Sequence, residues 1–546
     1  MATGRKRLSI EEDTDDELVN DSHSDLSSEG ELAAAIDSIS FDSEDEDFSS
    51  ERQWRGGTFI PTITQFIGGD GLRNTIPSVE RTPLDYFQIF FDETLVQNIV
   101  EETNRYYSQN SVGERQHMSN WQNVSVTEMY TFLAITMLTG LTSKGRIRDY
   151  WSTDSLLSTP IFSQYFTRNR YQDILRFLHF ANNEDAGSND RLKKIKPIIN
   201  DLKQKFSNCI NPAQNLCIDE SLMLWKGRLG FKQYIPSKRN RFGIKSFCLV
   251  DCKTKFVLDF IVYTGSNTEY QMTAELGLSG SVVMELMRRY LSKGHHLYVD
   301  NWFASPALFE ILHRNRTGAC GTVRKNRQGL PSLTNELESG EIQYSHTDIL
   351  LALKWQDKRE VHMLSTIHST TYANSGKVDW KTGLEIRKPV CIIDYNTNKG
   401  AVDQVDMQIS FSECLRKATK WYKKVFFHLL DLAVYNAFVI SKMYGNTSFH
   451  LSDFRLEIIR EILTKHGSQR PSIVGRPSTR DSPLRLTARH FISLIPQTYQ
   501  SKQPQRRCVV CAFHNIRRDT SYYCPDCDTP LCLVDCFKDY HTKINY

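Results

Sequence analysis

No apolar stretch in this chain reaches the ~18–20 residues that a membrane-spanning helix needs. The longest candidate, around Met129 to Leu141, is interrupted by threonine and glycine. No apolar segment follows the basic start Arg5-Lys6-Arg7, so a secretory leader is not expected. Glycine (28) and proline (17) are too few for a collagen-like chain, and no internal repeat is visible. Seven of the 13 cysteines are scattered singly, which excludes a small disulfide scaffold. What remains, 40% hydrophobic and 24% charged over 546 residues, is globular composition sufficient for about three or four domains. The expectation is a soluble intracellular protein without a membrane partner.

The formal charge of +3 hides an asymmetry: residues 1–50 carry 16 Asp/Glu against three Lys/Arg, leaving the other 496 residues at +16. An acidic tail on a basic body suits a polyanionic partner, with the tail competing for the same surface; a solubilising tail would have the same composition. Thr14-Asp15-Asp16-Glu17 and Ser43-Glu44-Asp45-Glu46 fit an acid-directed kinase.

Composition and periodicity divide the chain into segments. Residues 1–75 read as an acidic disordered tail. Residues 80–208 read as a helical block: one helix spans Leu84 to Tyr107, a capping box at Ser125 and Glu128 opens the next, and others cover Tyr171–Phe180 and Ile195–Phe206. Over 209–324 short strand-like runs (Leu216–Asp219, Ile244–Val250, Phe256–Tyr263, Leu297–Asp300) alternate with helices, one at Val282–Leu291 and one capped by Ser305 with Pro306 at its first position. This is an α/β pattern. Residues 325–389 read as a β-rich insertion. Residues 390–465 begin with a buried-strand pattern, Val390–Asp394, and continue with an apolar core helix, Val425–Ile440. Residues 466–505 read as a linker, and 506–546 as a Cys-rich module.

Asp219 and Asp300 each end an apolar strand-like run, and such positions line the edge where α/β sheets bind ligands. Asp403 and Asp406, three residues apart, share a helix face. Clustered carboxylates need cations, and their hard oxygens suit Mg²⁺; two such ions ~3.5–4 Å apart activate a hydroxyl and stabilise the leaving oxygen of a phosphodiester. Taken singly, each aspartate is more often a surface or capping residue.

The context is specific. Cys217-Ile218-Asp219-Glu220-Ser221-Leu222-Met223 leads to Trp225-Lys226-Gly227-Arg228, then to Pro236-Ser237-Lys238-Arg239 and Phe242-Gly243-Ile244-Lys245. Tyr298-Val299-Asp300-Asn301-Trp302-Phe303 follows, then Gly321-Thr322-Val323-Arg324, Asp394-Tyr395-Asn396 and Gly400-Ala401-Val402-Asp403-Gln404-Val405-Asp406. From about residue 80 to the C-terminus this series resembles the piggyBac family of DNA transposases, especially its vertebrate, domesticated branch. The resemblance implies an RNase H-like catalytic core with a β-rich insertion, an N-terminal helical dimerisation and DNA-binding domain, and a C-terminal zinc-binding domain of RING-like cross-brace type. It implies Asp219, Asp300 and Asp403 as a catalytic triad, with Asp406 auxiliary and two Mg²⁺ ions as cofactors. It also implies cleavage at transposon ends through hairpin intermediates, insertion at TTAA and scarless excision by a nuclear homodimer, with double-stranded DNA rather than a small molecule as substrate.

Two basic patches suit DNA. Arg416, Lys417, Lys420, Lys423 and Lys424 surround Trp421 and Tyr422, combining phosphate neutralisation with an aromatic that stacks on a base. The bland alternative is a helix with Trp421 packed inward and a solvated basic face. The resemblance places Trp421 near the transposon end. Lys238, Arg239, Arg241 and Lys245 form the second patch, beside Asp219. Gly475-Arg476-Pro477 hints at a minor-groove arm.

Six cysteines crowd into the last 39 residues: Cys508-x2-Cys511, Cys524-x2-Cys527 and Cys532-x3-Cys536, followed by His541. Soft thiolates and imidazole in such pairs form tetrahedral Zn²⁺ sites, and the metal supplies folding energy that a ~40-residue module lacks. Seven ligands do not complete two ions, and His514 is the expected eighth. In an interleaved arrangement Cys508, Cys511, Cys532 and Cys536 hold one structural Zn²⁺, while Cys524, Cys527, His541 and His514 hold the other. In the resembling family this domain recognises terminal inverted repeats; elsewhere the pattern recruits ubiquitin-conjugating enzymes or histone tails. Lys502, Arg506 and Arg507 add phosphate contacts or part of a nuclear import signal. Three functions compete: an active transposase, a domesticated DNA-binding protein that keeps the fold without mobilising DNA, and a zinc-dependent interaction module on an inert core.

Overall fold

A computed structural model describes residues 52–73, 81–110, 121–184, 190–235, 241–378, 383–414, 418, 420–444, 449–470, 486, 489–498, 501–543 and 546. The chain divides into two compact units, Met1–Ser468 and Gln469–Tyr546.

The first unit begins helically, as its periodicity predicts. Where one helix was expected from Leu84 to Tyr107 there are two, α1 (Pro83–Gln88) and α2 (Glu93–Asn110). The break comes from two start signals: Thr82 and Asp85 form a capping box, and the Asp92 carboxylate accepts from the Leu95 amide at 2.9 Å. Helix α3 (Val126–Leu141) starts at Ser125, whose hydroxyl accepts from the Glu128 amide at 3.2 Å. Glu128 does not complete the box; its carboxylate makes a bidentate pair with Arg170 at 2.7 and 2.6 Å. Helices α4 (Pro160–Tyr165), α5 (Arg168–Phe177) and α6 (Lys196–Cys209) follow. The lysines of α6 are internally paired, Lys203 with Asp259 and Lys205 with Asp92 and Asp201.

The chain then enters a nine-stranded sheet among the described residues. A two-stranded edge of β1 (Gly71–Leu72) with β2 (Ile210–Asn211) precedes it. The sheet contains β3 (Asn215–Leu224), β4 (Gln233–Tyr234), β5 (Phe242–Asp251), β6 (Val257–Val262), β7 (His296–Val299), β8 (Gly318–Thr322), β9 (Ile342–His346), β10 (Leu351–Gln356) and β11 (Glu360–Ser365). Its heart runs β6-β5-β3-β7-β8: three antiparallel strands, then two parallel to β3. Helix α7 (Gly277–Met287) connects β6 to β7, and α8 (Pro306–Arg314), capped by Ser305 as expected, connects β7 to β8. This is RNase H-like order. The segment expected to be a β-rich insertion is β-rich, and part of it extends this sheet, because β11 pairs with β8 and carries β10 and β9 outward. A further hairpin, β12 (Tyr372–Val378) with β13 (Glu385–Pro389), lies outside the sheet.

Val390–Asp394, read as a buried strand, is the start of helix α9 (Val390–Asn398). Its β-branched residues suggested a strand, but Cys391, Ile392, Tyr395 and Asn398 are buried at helical spacing, and Asn398 bonds back to the Asp394 carbonyl at 2.9 Å. Helices α10 (Ala401–Ser410), α11 (Trp421–Tyr444) and α12 (Leu451–His466) complete the unit. By length and composition α11 passes as a membrane span, contrary to the sequence expectation, but 94% of its apolar window is buried. It is a core helix.

Residues 52–73, assigned to the disordered tail, lie along the first unit. Arg52 pairs with Glu310 at 2.7 Å, Trp54 donates to the Gly329 carbonyl at 3.0 Å, and Phe59 is buried. The backbone of Arg55 exchanges bonds with His346 on β9, covering an otherwise open strand edge. The aromatic and basic residues of this stretch distinguish it from the acidic residues 1–50, which lie outside the described residues together with both kinase-like motifs and Gly475–Pro477.

The second unit begins before residue 506. A strand, β14 (Ser493–Leu494), pairs with β17 (Tyr522–Cys524), which pairs with β18 (Thr529–Pro530), while β15 (Arg506–Arg507) pairs with β16 (Asp519–Thr520). Two short helices, α13 (Val509–Phe513) and α14 (Cys536–Thr542), close it. Part of the expected linker is therefore folded.

Candidate active site and metal centres

Strand β7 is parallel to β3, with Ile218 opposite Val299, so the following residues, Asp219 and Asp300, stand at one level of the sheet. Strand β7 stops there while β3 continues to Leu224, leaving room beside β3. Asp219, Glu220 and Asp300 converge in that space, with one carboxylate oxygen of each within 4.8 Å of the others. Burial raises the Asp300 pKa to about 6, with the neighbouring Glu220 charge adding to the rise; the Trp302 and Phe303 amides and Lys245 oppose it. Three crowded carboxylates with one resisting ionisation form a hard-oxygen donor set that suits Mg²⁺.

Helix α10 lies against β3 on the Asp219 side. Cys217 Sγ donates to the Lys399 carbonyl (3.2 Å) and Ser221 Oγ to Asp406 Oδ1 (2.7 Å), and these two residues flank Asp219 on the same strand face. The helix segment between Lys399 and Asp406 thus passes over Asp219, and Asp403 lies within it, exposed in the first turn. Asp403 is not one of the three residues in the tight cluster; Glu220, which sequence reasoning missed, is. Glu220 follows Asp219 directly, and that adjacency is the signal the sequence offers for it.

The expected DNA-contacting residues fare unevenly. Lys423 is buried, and its ammonium donates to the Leu175 and Arg176 carbonyls at 2.8 and 2.5 Å, closing the end of α5. Burial lowers its pKa to about 7. Lys424 is also buried, paired with Glu413. Both assignments to a DNA surface are corrected: α11 is enclosed on nearly every side, and these cations satisfy internal acceptors. Trp421 packs edge-on against Phe231 with centroids 5.3 Å apart and remains partly exposed, as does Lys420. Lys245 is not a free phosphate contact but pairs with Glu220 at 3.0 Å. Arg241 is exposed; Lys238, Arg239, Arg416 and Lys417 lie outside the described residues.

The second unit holds two sets of four ligands: Cys508, Cys511, Cys532 and Cys536, and His490, Cys524, Cys527 and His541. In the first, Cys511 Sγ lies 3.8 Å from Cys532 Sγ and 3.6 Å from Cys536 Sγ. Zn–S bonds of ~2.3 Å in a tetrahedron give S···S edges of ~3.8 Å. In the second, His490 Nδ1 is 3.5 Å from both Cys524 and Cys527 sulfurs, and His541 Nε2 is 3.6 Å from Cys527. A mixed S/N tetrahedron predicts ~3.5 Å. His541 Nδ1 donates to the Phe537 carbonyl at 2.8 Å, fixing the tautomer that leaves Nε2 for a metal. The residues fit two zinc ions. The interleaved pairing is as expected except at one position: His490 takes the place given to His514, which is exposed at the end of α13. His490 lies in a stretch read as linker, and the signal available was only that it is one of few histidines near the module.

These two features, an RNase H-like sheet with a carboxylate cluster where β7 ends beside β3 and a two-site zinc module, define a DDE-type transposase architecture. The family profile "Transposase IS4" matches residues 82–438, and the profile "DDE_Tnp_1-like zinc finger" matches residues 488–542. The chain belongs to the IS4-type DDE transposases, in the piggyBac transposable element-derived family. It is 26% identical to human PiggyBac transposable element-derived protein 3 over 484 residues, 86% of this chain and 78% of that protein. It is 25% identical to human PiggyBac transposable element-derived protein 2 over 410 residues, 72% of this chain and 67% of the relative. Its fold matches that of the piggyBac transposase in a synaptic complex with hairpin DNA, with TM-score 0.62, 24% identity, and coverage of 73% of this chain and 83% of the other.

Proposed function

We propose that the protein is a Mg²⁺-dependent DNA transposase that cleaves and transfers strands, acting on terminal inverted repeats and TTAA targets as a nuclear dimer. The supporting observation is the convergence of Asp219 and Asp300 at one level of neighbouring parallel strands, with α10 carrying Asp403 across the same strand. Asp219, Asp300 and Asp403 are the proposed ion ligands, with Asp406 holding α10 to β3 through Ser221. Bound there, divalent ions would activate the attacking hydroxyl and stabilise the leaving oxygen. In the second unit His490 and His541 join the six cysteines as ligands of two structural Zn²⁺ ions, and that module recognises the repeat ends, with Lys502, Arg506 and Arg507 offered to phosphates.

A plasmid excision assay with candidate repeat ends tests the activity. Asp300→Asn and Asp219→Asn should abolish scarless repair at the donor site while leaving repeat binding in place. If wild type and both variants are equally silent yet all bind repeat DNA, the protein is a domesticated DNA-binding member of the family.

A further inference from the structure

Lys245 stands on β5 two residues before Phe247, which faces Glu220 across the β3–β5 ladder. Its ammonium is 3.0 Å from Glu220 Oε1, with the two side chains only 12% and 14% exposed. It also lies 4.6 Å from the ring centroids of both Phe247 and Trp302, which stack 5.3 Å apart and 10° from parallel. Trp302 is tied to the carboxylate cluster, since its amide donates to Asp300 Oδ1 at 2.9 Å. A lysine cation is therefore fixed against two aromatic faces and aimed at one of three clustered carboxylates. Such a cation, shielded from water, is a strong counter-charge.

We propose that Lys245 is the built-in counter-cation of the catalytic carboxylates and that Glu220 exchanges it for a divalent ion. The proposal rests on the metal-site reading above and adds Glu220, the third carboxylate of the cluster, to the ligands named there. In this exchange the metal that gathers Asp219, Glu220 and Asp300 draws the Glu220 carboxylate off Lys245, whose bond is to Oε1. The ring pair restrains the ammonium from following, so metal loading leaves Lys245 without its carboxylate at the rim of the site, where a DNA phosphate oxygen replaces it. Without DNA, the lysine weakens metal binding; with DNA, metal and phosphate reinforce each other. Lys245 is then a positioning residue that couples the arrival of substrate to loading of the ions.

The test measures Mn²⁺ binding to the full chain without DNA by electron paramagnetic resonance. Lys245→Met and Lys245→Gln should tighten binding about tenfold, and Glu220→Gln should weaken it. Asp300→Asn should abolish binding at this site. If Asp300→Asn abolishes binding but both Lys245 variants bind no tighter than wild type, or Glu220→Gln binds equally well, the exchange is overturned while the metal site stands. If Asp300→Asn binds Mn²⁺ as wild type does, the metal-site reading itself fails. Should the Lys245 variants not fold, amine acetylation of the wild type read by mass spectrometry decides. Lys245 should be protected without metal and become several-fold more reactive with saturating Mg²⁺; unchanged protection overturns the proposal.

Discussion

The chain carries two kinds of candidate metal site, and they are built in opposite ways. In the second unit, four thiolates and a mixed His/Cys set stand at tetrahedral spacing, so each site is complete in ligand number and its neighbours orient it. At the sheet edge, carboxylates from β3 and β7 crowd together, Asp300 resists ionisation, and an ammonium neutralises Glu220. The first arrangement suits a permanent ion whose binding energy is folding energy. The second suits ions that come and go with substrate, where residual repulsion keeps the site responsive.

Removing the metals should expose this contrast most strongly. Stripping zinc with a chelator should unfold the second unit, since each structural ion contributes on the order of 10 kcal/mol. Limited proteolysis should then degrade residues beyond Ser468 and spare the first unit, whereas Mg²⁺ removal should alter neither pattern. His490→Ala should lower bound zinc from two ions to one by elemental analysis, and His514→Ala should leave both. Equal loss in the two variants would return His514 to the ligand set.

The smaller effects concern charge. Asp300 has a folded pKa raised to about 6 against an ordinary value near 3.8, so the fold favours its protonated form. Its contribution is best below pH 3.8 and is lost as pH rises to about 6, leaving a constant penalty above. Without divalent ions, Asp300→Asn should therefore stabilise the chain at pH 8 by on the order of 1 kcal/mol and do little at pH 4. Denaturant titration at both values checks this; equal effects would mean that burial does not strain the carboxylate. Smallest is the tail: deleting residues 1–50 should tighten DNA binding a few-fold at low salt and not at high salt, measured by fluorescence anisotropy.

What was legible in the sequence follows the same division. The cysteine pairs are local, so their spacing announced zinc, and the eighth ligand was missed because His490 is 18 residues before the first cysteine in a stretch that looked like linker. Asp219 and Asp300 were found because each ends an apolar run. Glu220 was missed because period-two alternation does not reveal that β7 ends beside it and opens space on both sides. The buried roles of Lys423 and Lys424 were hidden for a related reason: a lysine that caps another helix's carbonyls looks, in one dimension, like one that meets phosphate. Val390–Asp394 looked like a strand, but it opens a helix whose Asn398 side-chain amide reaches back to the Asp394 carbonyl. Motifs reported which residues matter; partners distant in sequence determined what each of them does.

The central claim is that the carboxylates in mid-β3 and at the end of β7 bind the ions that act on DNA. Anomalous diffraction from Mn²⁺-soaked crystals of the chain with a repeat-end duplex measures this directly. The account predicts a peak within bonding distance of Asp219 and Asp300 and beside the scissile phosphate, absent in Asp300→Asn. A peak elsewhere, or none in the wild type with DNA bound, would contradict it.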